Sequence, residues 1–326
     1  MTLPRRKFLQ LVGNAVISPV LSEVATAQTY PSRPISMIVP FAAGGASDAI
    51  ARVVAERMGK LVGQAIVIEN VTGADGNIGT GRAARARPDG YTIDFGAIGT
   101  NVLNGALYSL PYDVLNDFAP ISLLATFPFI LFARKTLPPK DSKELIAWLK
   151  TNQNNASVGV GAPVLRVVTG LFGTETGTQF TLVAYRGGAL AIQDLVAGQI
   201  DLFLGSPTQL PLMRAGSIKA YAVTSDARLA VAPDIPTFAE VGLPALTYSA
   251  WVGLFAPRGT PRDIIAKVNA AAVEALTYPS VRSRLAALGA EIFPPEGQTP
   301  EALATMVKAD AAKWWPIIKE FGIKPE

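Results

Sequence analysis

The sequence contains no cysteine and no histidine among its 326 residues. Without cysteine, the chain cannot form a disulfide, a thiolate nucleophile, a zinc–thiolate site or a lipid-anchored N-terminal cysteine. Without histidine, it has neither a Ser–His–Asp triad nor an imidazole metal ligand. Carboxylate, lysine or tyrosine chemistry stays open. These absences favour ligand capture over catalysis, and we expect no metal and no cofactor.

Charged residues are also scarce, at 17% of the chain, and the formal net charge is only +4. The basic residues are scattered among acids, and no basic block with interleaved aromatics indicates a nucleic-acid partner. The chain is 49% hydrophobic, which is enough to bury a substantial core. Its length suits one large domain or two of ordinary size.

The amino terminus has the pattern of an export signal. Arg5 and Arg6 precede an apolar stretch at residues 9–21, which is too short to span a bilayer well. A small-x-small cleavage pattern ends at Ala27. We predict a twin-arginine signal in residues 1–27, with an ordinary Sec signal as the alternative. Either route places the mature chain in the periplasm, and we expect it to be soluble there because no later segment is a candidate span.

A glycine turn joins the first predicted strand to the first predicted helix. Residues 35–39 form a short apolar, β-branched run that predicts a buried strand. Gly44 and Gly45 permit a tight turn with positive φ, and Ser47 or Asp48 can cap the helix that follows. Free N–H groups at the positive end of a helix form an anion site. The pattern therefore predicts a loop that holds a carboxylate or a similar anion.

Strand and helix patterns alternate through most of the mature chain. Such alternation predicts parallel sheets flanked by helices, with ligands at the carboxyl ends of the strands. We expect a first domain of residues 28–132 plus 255–326 and a second domain of residues 133–254, with the ligand cleft between them. That arrangement suits capture by hinge closure. The further predicted strands are residues 65–69, 91–95, 129–133, 157–160, 181–184, 200–204, 218–223 and 251–256.

Seven segments carry a resemblance to one family, in the same order and from about Tyr30 to the end. They are Val39–Asp48, Glu69–Gly79, Pro88–Thr92, Tyr185–Gly187, Gln193–Asp201, Pro233–Gly242 and Trp251–Pro261. Each segment alone is a weak signal, but together they are strong. The chain resembles the periplasmic solute-binding proteins of tripartite tricarboxylate transporters, often called Bug-type receptors.

The resemblance implies an α/β fold of the periplasmic-binding-protein type II, a two-domain Venus flytrap with a mostly parallel, helix-flanked sheet in each domain. It implies a small carboxylate ligand: a dicarboxylate, an amino acid or an aromatic acid. The glycine loop and its helix N-terminus would hold one carboxylate, partly through ordered water. The implied partner is a two-component membrane transporter, although many members lack a linked one, and we expect a monomer.

The chain departs from the family pattern after Val160. Similar proteins usually carry Gly-x-Gly-Ser/Thr followed by His-Leu or His-Val, whereas Ala162 replaces the hydroxyl residue here and Leu165 stands in place of the histidine. A more apolar wall would favour a ligand with a hydrophobic or aromatic body. The alternative is that the histidine is only structural and that Leu165 changes packing.

The predicted ligand-binding residues follow strands in both halves of the chain. Asp48 would repel an anion, so we expect it to cap the helix or order water. Arg186 suits a bidentate carboxylate contact but could equally form a structural ion pair. The predicted set is Phe41, Ala42, Gly44, Gly45, Ala46, Ser47, Asp48, Thr100, Asn101, Gly161, Ala162, Leu165, Tyr185, Arg186, Gly187 and Ser206.

Other interpretations of the sequence have less support. The segment Gly73–Gly79 lacks the Lys-Ser/Thr of a P-loop and the spacing of a dinucleotide fingerprint, which excludes nucleotide binding. An exported α/β enzyme could use Asp48, Glu69 or Asp201, but no spacing demands paired catalytic acids. The sequence does not distinguish a transport receptor from a sensor partner that presents its ligand to a membrane kinase. Trp314 and Trp315 are expected to pack in the core or between helices and not to stack on a ligand.

Overall fold

The strands form two separate sheets in the computed structural model, which describes residues 30–185 and 187–320. The predicted export signal and Arg186 lie outside the described residues. The described residues from Pro31 onward form one compact unit that contains both sheets. Within the described ranges, no helix combines the length and apolar character needed to cross a bilayer.

The first sheet has six strands in the order β11-β4-β10-β3-β1-β2. Towards one edge β1 is parallel to β2 and β3, and the apolar residues of β1 are fully buried, as expected for a strand covered on both faces. The strands are β1 (Ile35–Val39), β2 (Ile66–Asn70), β3 (Thr92–Ala97), β4 (Phe118–Pro128), β10 (Ser249–Pro257) and β11 (Glu291–Ile292).

The second sheet has five strands in the order β7-β6-β8-β5-β9. Here β6 is parallel to β7 and β8, while β5 is antiparallel to β8 and β9. The strands are β5 (Ile130–Arg134), β6 (Ser157–Val160), β7 (Thr181–Ala184), β8 (Leu202–Gly205) and β9 (Ile218–Val223).

Both sheets are mixed, so the prediction of mostly parallel sheets was wrong. In the first sheet β10 is antiparallel to β3 and β4, because it returns from the second sheet in the opposite direction. The sequence prediction also lacked β4 and β11. The chain leaves the first sheet at Pro128 and enters the second at Ile130, so the predicted domain limits at 132/133 and 254/255 fall inside β5 and β10.

Helices cover both sheets and mostly start where a parallel strand has just ended. The first, Ala46–Val62, follows β1 directly and ends at Gly63, whose φ of +76° suits a glycine C-cap. The helices are α1 (Ala46–Val62), α2 (Asn77–Ala84), α3 (Asn104–Leu107), α4 (Ser142–Thr151), α5 (Pro163–Thr176), α6 (Gly188–Ala197), α7 (Leu210–Arg214), α8 (Arg262–Thr277), α9 (Pro279–Ala287) and α10 (Pro300–Glu320).

The two adjacent tryptophans of α10 serve packing, as predicted. Trp314 is buried and meets the Tyr248 ring edge-on at a centroid distance of 5.3 Å. Trp315 donates a hydrogen bond from Nε1 to the Val102 carbonyl at 3.0 Å. They therefore join α10 to the segment that precedes β10 and to the turn that follows β3.

Candidate functional site

A cavity of about 1010 Å³ lies between the two sheets and is lined from both. In the first sheet its walls are the loops after β1, β2 and β3, and in the second the loops after β6, β7 and β8. These are the carboxyl ends of the strands that pair in parallel, the usual position of ligands in such sheets. Twelve of the sixteen predicted residues line it: Phe41, Ala42, Gly44, Gly45, Ala46, Ser47, Gly161, Ala162, Leu165, Tyr185, Gly187 and Ser206.

The β1–α1 loop presents the N-terminus of a 17-residue helix to the cavity. Gly44 has a φ of +82°, but Gly45 has a φ of −77°, so only Gly44 needs the left-handed region. Gly45 is the N-cap residue and no side chain caps the helix. The predicted cap by Ser47 or Asp48 was therefore wrong, because both residues already lie in the first turn. Backbone N–H groups in that turn have no acceptor within the helix.

Asp48 lies beneath this loop instead of lining the cavity. Its carboxylate accepts hydrogen bonds from Gly44 N–H, from Arg52 Nε and from Asn70 Nδ2, each at 2.9 Å. Asn70 Nδ2 also donates to the Phe41 carbonyl at 3.0 Å. Burial opposes ionisation, but these hydrogen bonds and the Arg52 charge outweigh it and lower the pKa of Asp48. Asp48 thus stabilises the loop from the side away from the cavity and does not line the cavity.

Thr100 and Asn101 are fully buried below the cavity, whereas the preceding residues Ile98 and Gly99 line it. Thr100 Oγ1 lies 2.7 Å from Asn101 Oδ1, and Asn101 Nδ2 donates to Asp94 Oδ2 at 2.9 Å. Burial raises the pKa of Asp94 to about 7, against a smaller opposing effect of the Asn101 hydrogen bond. These residues support the first wall and do not form its surface.

The β2–α2 loop forms a part of the first wall that was not among the residues predicted from the sequence. Gly73, Ala74, Asp75 and Gly76 all have positive φ, so the chain makes a left-handed turn at the cavity edge. The Asp75 carboxylate accepts a hydrogen bond from the Tyr108 hydroxyl at 2.6 Å. Asn104 Nδ2 donates to the Asp75 carbonyl at 3.0 Å.

The second wall is built around the N-termini of α5 and α6. Ala162 is the N-cap of α5 and Gly187 that of α6, and neither helix has a side-chain cap. Gly161 lies close to the second cap: a Cβ at this position would come within 2.9 Å of the Gly187 carbonyl carbon. Leu165 is buried and lines the cavity from the first turn of α5.

Two further predicted residues of the second wall have polar partners. The Tyr185 hydroxyl donates to Asp194 at 2.7 Å, and burial together with that carboxylate raises the pKa of Tyr185 to about 12. The hydroxyls of Ser206 and Thr208 lie 2.6 Å apart, and Gln209 Nε2 donates to Thr208 Oγ1 at 2.8 Å. Thr208 and Gln209 also line the cavity and were not predicted.

The two walls meet across the cavity. A Cβ on Gly187 would lie 3.2 Å from the Ala42 Cβ, and one on Gly99 would lie 3.5 Å from Pro163. Arg166 Nη2 from the second wall lies 3.6 Å from Asp75 Oδ2 in the first. These approaches between the two walls show that the two sheets enclose the cavity between them.

The cavity is suited to an anion. Residues at the N-termini of α1, α5 and α6 all line it, and each terminus carries a partial positive charge and lacks a side-chain cap. Among the described residues, no group of three or more acidic side chains is arranged to hold a metal ion. These helix N-termini offer backbone donors to a negative charge, and such donors need no deprotonation.

Comparisons with known proteins agree with this architecture. The chain is 39% identical to MatC of Rhodopseudomonas palustris, solved with bound malate, covering 89% of this chain and all of MatC with a TM-score of 0.85. It is 33% identical to Rpa4515 of the same organism, solved with adipate, covering 91% of this chain and all of Rpa4515 with a TM-score of 0.86. It is also 32% identical to BugT of Bordetella pertussis over 98% of each chain.

These similarities confirm the two-domain periplasmic-binding-protein fold class and the resemblance to Bug-type proteins that the sequence motifs indicated. The match to the family description covers residues 50–323, which include both sheets except β1. The chain belongs to the tripartite tricarboxylate transporter receptor family.

Proposed function

We propose that this protein is an extracytoplasmic receptor that captures a small carboxylate between two closing domains. One observation carries the proposal: three helix N-termini without side-chain caps, from both sheets, line a single cavity. The bound malate of MatC and the adipate of Rpa4515 support a carboxylate as the anion.

The first wall is pre-organised for this task. Asp48 and Asn70 hold Gly44 and Phe41 in place, so the loop does not need to be ordered when a ligand arrives. Pre-organisation increases affinity because it reduces the entropy lost on binding. The second wall then closes over the ligand and excludes water, which strengthens each backbone hydrogen bond to the anion.

The proposal includes a division into two domains, one around each sheet. The chain passes from the first domain to the second at Phe129 and returns between Val223 and Ser249. In this proposal the ligand contacts are the cavity-lining residues predicted from the sequence, with Arg186 as an additional cationic contact. The receptor is a monomer in the periplasm, delivered by a twin-arginine signal cleaved near Ala27. It transfers ligand to membrane subunits of the tripartite tricarboxylate type and does not transform it.

A thermal-shift screen of the purified protein against dicarboxylates, amino acids and aromatic acids tests the function. We expect at least one carboxylate to raise the melting temperature and to be recovered unchanged after prolonged incubation. A matched set of amides that lack the carboxylate charge should give no shift. Consumption of a stabilising compound would contradict the receptor assignment and favour an exported enzyme.

A further inference from the structure

Three polar side chains just after β8 form a closed ring of hydrogen bonds on the cavity surface. Ser206 Oγ donates to Gln209 Oε1 at 3.1 Å, Gln209 Nε2 donates to Thr208 Oγ1 at 2.8 Å, and the two hydroxyl oxygens lie 2.6 Å apart. All three residues line the cavity. We call Ser206, Thr208 and Gln209 the hydroxyl–amide ring.

The ring uses its hydroxyl hydrogens and leaves acceptors available. A hydroxyl has one hydrogen and two lone pairs, and a side-chain amide has two hydrogens and two lone pairs. Ser206 gives its hydrogen to Gln209, so Thr208 gives its own to Ser206. Among the described residues, no further group bonds to these side chains, so one lone pair on each oxygen and one amide hydrogen stay available. Turning the amide over reverses the ring and leaves the same kinds of atom available.

The local backbone holds the ring in this arrangement. Ser206 follows β8 directly, and Gln209 N–H donates to the Ser206 carbonyl at 3.2 Å, which closes a short turn. A Cβ on Gly205 would come within 3.0 Å of Gln209 Oε1, so the glycine leaves the space that the amide occupies. Pro207 is buried and packs against Gly289, which precedes β11 of the first sheet. The ring is therefore fixed by the fold and does not need a ligand to form.

The ring lies beside the N-terminus of α5. Strand β8 is parallel to β6, and neighbouring strands in a sheet are about 4.8 Å apart. The chain leaves β6 and begins α5 after its N-cap Ala162, so the ring and this helix N-terminus follow adjacent strands at the same edge of the sheet. A small carboxylate held at the helix N-terminus can therefore place a second group on the ring.

We propose that the hydroxyl–amide ring is a subsite for a hydrogen-bond donor on the ligand, either a hydroxyl or an amide N–H. The inference rests on the proposed function, in which a carboxylate of the same ligand binds at the helix N-termini. A donating group uses a lone pair that the ring leaves available, and a hydroxyl also accepts from the remaining Gln209 hydrogen. A methyl group would cover these atoms without bonding to them, and a keto oxygen would have only the amide hydrogen to bond.

Size-matched carboxylates test the proposal by isothermal titration calorimetry. Two pairs contrast a hydroxyl with a methyl group: 4-hydroxybutanoate with pentanoate, and 4-hydroxybenzoate with 4-methylbenzoate. A third pair contrasts a donor with an acceptor: 4-hydroxypentanoate with 4-oxopentanoate. We expect the wild-type protein to prefer the hydroxyl compound of its best-bound pair by about tenfold or more, because polar atoms buried without a partner are costly.

Two ring variants should shift the balance between the hydroxy and the oxo compound. Thr208→Val frees a second amide hydrogen of Gln209, and Ser206→Ala frees the Thr208 hydroxyl hydrogen. Each freed hydrogen can bond to a keto oxygen, so the ratio of hydroxy to oxo affinity should fall by at least about threefold.

Thr174→Val is the matched control. It makes the same chemical change on an exposed part of α5, where the hydroxyl donates to the Gly170 carbonyl at 3.2 Å. This residue does not line the cavity, so the ratio should equal that of the wild-type protein.

Different results would overturn the inference and the function on which it rests. If no carboxylate of the thermal-shift screen stabilises the protein, the proposed function fails and the inference fails with it. If carboxylates bind but the hydroxyl compounds have no advantage, or if the hydroxy-to-oxo ratio does not fall in the ring variants, the inference alone is overturned. A hydroxyl preference that falls in both ring variants and persists in Thr174→Val supports both.

Discussion

The two walls of the cavity are built in different ways. The β1–α1 loop is supported from below by polar side chains that do not reach the cavity, chiefly Asp48 and Asn70. The second wall is formed by close backbone packing at Gly161 and Gly187, and it places the side chains of Leu165 and Tyr185 on the cavity surface. We therefore expect the first wall to offer backbone donors from a loop that is already fixed, and the second wall to add the N-termini of α5 and α6 together with side chains that could distinguish one ligand from another.

Replacing Asp48 by alanine should have the largest effect, because it removes the support of the first wall. Gly44 N–H, Arg52 and Asn70 would all lose a shared acceptor. We expect the free energy of unfolding to fall by about 3–4 kcal/mol and carboxylate affinity to fall by about 100-fold or more. Urea unfolding and calorimetric titration measure the two effects.

Asp48→Asn provides the matched control for that experiment. It keeps an acceptor for Gly44 and should retain more affinity than the alanine variant. Equal affinity in the wild type and the alanine variant would show that the loop needs no support from Asp48.

Asp94→Asn tests the buried layer beneath the same wall through pH. The pKa of Asp94 is about 7 in the folded protein, above its ordinary value of 3.8, so the folded state holds a proton that the unfolded chain releases. The stability contributed by this proton is complete below pH 3.8 and is lost as pH rises to 7. Relative to wild type, the variant should gain on the order of 3–4 kcal/mol of unfolding free energy between pH 4 and pH 8.

Unfolding curves of both proteins at four pH values across this window check the sign. Comparing the two proteins at each pH cancels the titration of all other groups. A stability difference that is constant with pH would contradict a raised pKa for Asp94.

Alanine substitutions at Gly44 and Gly45 compare two backbone conformations within the loop itself, and their effects on stability should be smaller. Gly44→Ala places a side chain at a φ of +82° and should cost about 1–2 kcal/mol of stability, even though the added Cβ has open space around it. Gly45→Ala places one at a φ of −77°, where its Cβ meets the Ala42 carbonyl at an ordinary 3.4 Å, and should cost much less. Thermal unfolding of the two variants side by side measures the difference, and equal losses would show that backbone strain does not set the loop.

Leu165→His should have the smallest effect on overall affinity but a selective effect on ligand choice, because Leu165 lies on the cavity surface of the second wall. It introduces, at a position that lines the cavity, the histidine that the family resemblance leads us to expect there. We expect affinity for aliphatic or aromatic monocarboxylates to fall by about three- to tenfold, as an apolar contact is lost. If all ligands weaken equally, Leu165 acts through packing and does not influence ligand choice.

Local sequence patterns were sufficient to predict the secondary structure of much of the first wall. Strand β1, the glycine turn and α1 follow from neighbouring residues, so their order was predictable. Anion binding at the helix N-terminus stays a prediction. The role of Asp48 was not predictable, because its carboxylate turns back toward Gly44 and Asn70 only once β2 lies beside β1. The mixed sheets were missed for a related reason: β10 pairs with β3 and β4, more than a hundred residues earlier in the chain.

The sequence by itself determined the chemical limits of this protein. The absence of cysteine and histidine excludes whole classes of site, and short-range patterns specify much of the alternation of strands and helices. Tertiary structure alone decided which side chains meet. Asp75 and Arg166 are separated by ninety-one positions in the chain and become a pair only when two sheets enclose one cavity. Pairing of buried charges depends on distance in space and on the loss of water, and no local pattern in the sequence records either.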